Sequence, residues 1–191
     1  MIVAPDYGYS SSVSMIFWVV VLAAVLALVL MVFRHSGEKK GGSRHGYFYI
    51  MSFLSLIALY WAMSDSVRLV LSSWMGKLPY YAASNYARDL AMRVSTILVA
   101  IPVFAFHWIG ANPRDHEKID REGRRWYAMI MMVFSGLIVL ACATNLVYMV
   151  VSFVMGVSSS TTIEVILPYG LLAILIWGWH YGVWKKVELS E

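Results

Sequence analysis

Residues 47–76 read YFYIMSFLSLIALYWAMSDSVRLVLSSWMG, and residues 127–156 read YAMIMMVFSGLIVLACATNLVYMVVSFVMG. Each is apolar for far longer than the buried stripe of a soluble helix. Neither alternates with period two, and both exceed the about 9–11 residues of a membrane barrel strand, so each reads as a helix long enough to cross a bilayer. The two stretches also match one another at a fixed offset of 80. Tyr47 meets Tyr127, Met51 meets Met131, Ser55 meets Ser135, Asp65 meets Asn145, Val70 meets Val150, and Met75-Gly76 meets Met155-Gly156. The chain therefore reads as an internal repeat whose unit begins with such a span.

Three further apolar runs extend this pattern, from about Val13 to Phe33, from about Leu90 to Ile109, and from about Ile163 to Trp184. The third and fifth spans align at an offset of 73, with Ile101-Pro102-Val103-Phe104-Ala105-Phe106-His107-Trp108 on Ile174-Leu175-Ile176-Trp177-Gly178-Trp179-His180-Tyr181. The expectation is an all-α integral membrane protein with five transmembrane helices, a four-helix bundle of two tandem hairpins plus one N-terminal helix. Its divisions are 1–34 (outer segment and first span), 35–46 (linker), 47–112 (first hairpin), 113–125 (charged loop), 126–186 (second hairpin) and 187–191 (tail). Composition agrees: 60% of the 191 residues are hydrophobic and 14% charged, with a mean hydropathy of +0.68, against about 25% charged in soluble domains. No length remains for a sizeable water-soluble domain. Cys142, the one cysteine, excludes a disulfide framework and a cysteine-based metal site. The first span follows Asp6 and no basic residue, and its apolar core is about twice a signal peptide's, so it reads as a retained helix.

Basic residues set the orientation. Arg34, Lys39, Lys40 and Arg44 follow the first span, Arg114, Lys118, Arg121, Arg124 and Arg125 follow the third, and Lys185 and Lys186 follow the fifth, which together are most of the 15 Lys and Arg. The opposite loops hold only Lys77 and Arg88. The N-terminus is expected outside the cell membrane and the C-terminus in the cytoplasm. The net charge of +4 then reflects topology and anionic lipid headgroups, and no nucleic acid is expected as a partner.

At this point the chain resembles the domain-of-unknown-function family numbered 5671, small microbial membrane proteins of two such hairpins. The resemblance rests on His45 to Leu56 (HGYFYIMSFLSL), Arg93 to Phe104 (RVSTILVAIPVF), and Arg124 to Met132 with the apolar run ending at Met155-Gly156, and covers about residues 45 to 186. It implies a fold and no activity, catalytic residue or cofactor.

Two groups of side chains bear on chemistry. His107 and His180 occupy equivalent repeat positions in the last turns of the third and fifth spans, and together with His45 they are the histidines to weigh. One imidazole from each of two helices is the arrangement of a bis-histidine haem b, with Phe104, Trp108, Trp177 and Trp184 as lining and Arg114, Arg124 or Lys185 for propionates. A chlorophyll-type pigment on a single histidine is a related option. The simpler alternative is an interfacial belt of amphipathic rings, common in a chain with eight Trp and twelve Tyr.

Asp65 with Arg68 is spaced i, i+3, and Asp89 with Arg93 i, i+4, so each can form an ion pair on one helix face. Asp65 lies about 27 Å from Tyr47 at about 1.5 Å per residue, near the outer edge of a core about 30 Å thick. That favours a structural salt-bridge cluster over a proton relay. Glu164 reads as interfacial, Pro102 as a kink, and Met129, Met131 and Met132 as a soft face for partners or lipid. The loop Asn112 to Arg125 (NPRDHEKIDREGRR), with His116, reads as salt-laced solvation more than a metal site, and Ser36 to Gly46 as a flexible linker.

No GxSxG, HExxH, P-loop or dinucleotide fingerprint occurs, so no catalytic residue and no enzyme activity are expected. The leading expectation is a non-catalytic accessory subunit, embedded in the lipid bilayer and packed against other subunits of a multi-subunit, energy-transducing membrane complex. The first span motivates it, being almost wholly aliphatic and aromatic, lying outside the repeat, and carrying Ala23, Ala24 and Ala27 for close helix approach. A haem- or pigment-binding redox subunit is the alternative. A small transporter is third, resting on parallel repeats and a kinked helix.

Overall fold

A computed structural model describes residues 42–76, 80–112, 121–158 and 162–189, with side chains from residue 46 in the first of these segments and from 85 in the second. The first span (13–33), most of the linker, the side chain of His45, and Arg114 and His116 of the charged loop lie outside the described residues. Four helices make up the remainder: α1 (Gly42–Trp74), α2 (Tyr80–Ala111), α3 (Arg121–Val154) and α4 (Ile163–Glu188). They correspond to the second through fifth spans. Each is long and apolar enough to cross a membrane, and the described residues contain no strand.

The helices run beyond the apolar runs that announce them. α2 begins ten residues before Leu90 because Tyr80 to Asp89 (YYAASNYARD) holds alanines and no Gly or Pro. α3 begins five residues before Trp126, with Glu122 in its first turn where the helix dipole favours an acid. The charged loop is correspondingly shorter than 113–125.

α1 packs along α2, and α3 along α4, as two hairpins; the hairpins meet through α1 laid against α4, with a smaller contact onto α3. The two units carry the same local features at the same offsets. Ser55 Oγ donates to Met51 O at 2.7 Å, and Ser135 Oγ to Met131 O at 2.6 Å. Both first helices end at a glycine of positive φ, Gly76 at 65° and Gly156 at 69°. Met75 N donates to Leu71 O and Met155 N to Val151 O, each at 2.9 Å. At Gly156 the ending is a Schellman motif, with Gly156 N bonding Phe153 O at 3.2 Å and Val157 N bonding Ser152 O at 2.9 Å.

The core joins the two hairpins at the end where α1 and α3 begin. Tyr49, Phe53, Leu56, Ala111, Tyr127 and Met131 form one buried cluster, with Phe104, Trp108 and Ile176 packed on it. The Tyr49 and Tyr127 rings lie 5.4 Å apart and those of Phe53 and Phe134 6.1 Å. Met131 is therefore core, not part of an outward methionine face, because α3 turns it toward Tyr49 and Phe53 of α1 while Met129 and Met132 stay half-buried. Pro102 and Pro168 both lie within helices. Lacking an N–H, Pro102 leaves the carbonyl of Leu98 without its usual helical donor.

Candidate functional site

Two polar assemblies lie in opposite halves of the described bundle. The first stands at the start of α1 and α3, where each hairpin sets a tyrosine of its first helix against a histidine of its second. The rings of Tyr47 and His107 are 5.5 Å apart, and those of Tyr127 and His180 also 5.5 Å. Both imidazoles bond back to their own helix, His107 Nδ1 with Val103 O and His180 Nδ1 with Ile176 O, each at 2.7 Å. A carbonyl only accepts, so Nδ1 carries a proton and donates, which leaves Nε2 as the nitrogen free to meet another partner.

The hairpins differ at that nitrogen. His107 Nε2 meets the Tyr47 hydroxyl at 3.4 Å. His180 is fully buried, and neither its Nε2 nor the Tyr127 hydroxyl has a hydrogen-bond partner.

Each histidine keeps to its own hairpin in its ring contacts. His107 lies among Tyr47, Phe48 and Phe106, and His180 among Tyr127 and Trp179. Across the hairpin boundary it is Trp108 that meets Trp179, at 5.1 Å, and Tyr127, at 5.6 Å. Phe104 also reaches Trp179, at 5.8 Å. Trp177 instead stacks on Tyr181 at 5.5 Å, with its ring half exposed.

The second assembly centres on Asp65. Its Oδ1 accepts from Arg68 Nε at 2.7 Å and from the Tyr169 hydroxyl at 3.1 Å, while Oδ2 accepts from Arg93 Nε. Arg93 thus crosses from α2 to α1, and it uses the backbone carbonyl of Asp89, at 2.9 Å, in place of the carboxylate that its i, i+4 spacing suggested. The longer side chain spans the interhelical gap and finds a buried carboxylate, which gains more from pairing than an exposed one does. Tyr60 completes the tie from α1 to α4 by donating to Tyr169 O at 3.0 Å. Glu164, expected at the interface, is buried at 4% exposure, since it sits on the face of α4 that also carries the buried Pro168.

Asp65 is about 28 Å along α1 from Gly46 and about 13 Å short of Trp74. Because α1 extends past an expected core thickness, this carboxylate lies only about 8 Å from the middle of its span. Tyr169, Tyr60 and the crossing of Arg93 carry no local sequence signal. The second repeat carries Asn145 and Tyr148 at the positions of Asp65 and Arg68, so the ion pair is not duplicated there.

The described residues contain no group of three or more His, Cys, Asp or Glu placed to hold a metal ion. The C-terminal half of α3 has little protein cover: Leu140, Val147, Tyr148, Val150, Phe153 and Val154 are exposed. Thr144 and Asn145 lie exposed among them, bonded to Leu140 O at 2.9 Å and Ala141 O at 2.8 Å.

Two packed helical hairpins, all four helices long and apolar enough to span a membrane, define the class of the described residues as all-helical with four candidate membrane spans. Within that class the chain belongs to the family described as Domain of unknown function (DUF5671), whose profile matches residues 45–179. No curated protein and no solved structure matches the chain.

Proposed function

We propose that this is a non-catalytic, multi-pass subunit of the cell membrane, N-terminus outside and C-terminus cytoplasmic, that packs against other subunits of a membrane complex. The carrying observation is Asn145. It stands exposed in the least covered helix of the bundle, among apolar side chains suited to lipid or to another helix. An amide facing hydrocarbon is costly, and its own helix takes only one of its donors, leaving the second N–H and the carbonyl oxygen for a neighbouring helix. The partner this fits is a transmembrane helix of another protein that brings a hydroxyl or amide to the same depth. Apolar neighbours alone would be served by lipid, so the polar group decides the reading.

Native mass measurement after extraction in mild detergent tests it. The expected result is a discrete heteromeric complex that reverts to the 21.6 kDa chain when Asn145→Leu is introduced. A wild-type chain that stays alone, or that associates only with copies of itself, overturns it.

A further inference from the structure

Four buried polar atoms without hydrogen-bond partners gather at one end of the second hairpin: Tyr127 Oη, His180 Nε2, Trp184 Nε1 and Arg124 Nε. Buried polar groups are nearly always paired, so four orphans at the same end of one hairpin require an account. They form two layers. Tyr127 of α3 faces His180 of α4. One turn nearer the helix ends, Arg124 lies three residues before Tyr127 and Trp184 four residues after His180, and in an antiparallel pair those positions share a level. The first hairpin shows what the inner layer does when it is closed, for there the equivalent Tyr47 hydroxyl meets His107 Nε2 directly.

We propose that this end of the second hairpin binds the headgroup of a 1,4-quinone or its quinol. The layers are about 4.5 to 6 Å apart, three residues on α3 and four on α4 at about 1.5 Å each. Two oxygens placed para on a six-membered ring lie about 5 Å apart, with C=O bonds of about 1.2 Å on either side. One oxygen then meets Tyr127 and His180, the other Trp184 and Arg124. The groups suit both oxidation states. Tyr127, Trp184 and Arg124 donate to quinone carbonyls, and Nε2 of the neutral His180 ring accepts from a quinol hydroxyl. A metal cation fits poorly, because Trp184 and Arg124 offer only N–H donors. The neighbouring rings of Tyr49, Trp108 and Trp179 supply aromatic surface for a flat headgroup. Binding alone is inferred, with no electron transfer, and it stands independently of the partner proposal.

The test is equilibrium binding of a decyl-substituted 1,4-benzoquinone to the purified full chain in nanodiscs, read together with the infrared carbonyl stretch of the bound probe. Saturable binding near one per chain, with a carbonyl band moved to lower frequency, is expected. Tyr127→Phe and Trp184→Phe each remove one donor while keeping a ring, and each should weaken binding about tenfold, the size of one hydrogen bond. Tyr47→Phe, at the equivalent site of the first hairpin, should bind within about twofold of wild type. Where one substitution prevents folding, the other together with the carbonyl band decides. Partitioning without saturation, an unshifted carbonyl band, or equal affinities in all three variants would overturn the proposal.

Discussion

Arg93 on α2 donates to the Asp65 carboxylate on α1, the same carboxylate that receives Arg68 from its own helix and Tyr169 from α4. One acid 5% exposed thereby links three of the four helices. Removing the central member of a buried ionic cluster strands the others, which costs about 3–5 kcal/mol. Asp65→Ala should lower stability by that order, while Tyr169→Phe, which removes one bond to the same carboxylate and leaves both guanidiniums paired, should cost about 1 kcal/mol. Unfolding in graded detergent mixtures compares the two. Equal effects would show that the carboxylate does not organise the cluster.

The close approach of α1 and α2 rests on Gly110. A Cβ there would stand 2.6 Å from Cε1 of Phe48, and that ring is hemmed in by Tyr47, Phe106 and His107. Gly110→Ala should therefore destabilise the first hairpin by about 1–3 kcal/mol, the cost of overpacking, although alanine is the better helix former. Gly178→Ala, with nothing within 4 Å of the added carbon, should be neutral or stabilising. Thermal denaturation of both variants reads the difference in sign.

Periodicity and length made the helices legible, because a run such as Met129 to Leu140 admits only one satisfied backbone arrangement in an apolar medium. The residues that match at an offset of 80 carry matching serine bonds and glycine turns, since these are local and depend on residues within five positions. Long-range pairing was not legible. Nothing near Asp65 in the chain points to Arg93 or Tyr169, 28 and 104 positions away. Likewise the spacing of His107 and His180 shows that they are equivalent, but not that each looks into its own hairpin. The orphaned Tyr127 and His180 atoms became visible only as a difference between two otherwise equivalent pairs.

Gly76 and Gly156 test the equivalence of the turns. Both hold the left-handed conformation, and at neither does an added Cβ meet any atom within 4 Å. The penalty for alanine is then purely conformational, about 1–2 kcal/mol, and should be nearly the same at the two positions. Asparagine, which tolerates this region better, should cost less at each. Matched unfolding midpoints for Gly76→Ala and Gly156→Ala confirm the expectation; a twofold disparity in free energy would show that the turns have diverged.

Phe53, 1% exposed at the junction of α1 with α3, separates packing from the hydrophobic effect. In water, Phe→Ala in a core costs about 3–5 kcal/mol, part of it the transfer of the ring to solvent. Helices separating within a bilayer expose the ring to lipid tails as apolar as the core, so the transfer part vanishes and lost dispersion contacts remain. Phe53→Ala should accordingly cost less than that range when dissociation is measured in nanodiscs. The same substitution should approach the full range when the reference state is unfolded in concentrated denaturant. Identical costs in the two reference states would mean that the junction gains its stability by excluding water.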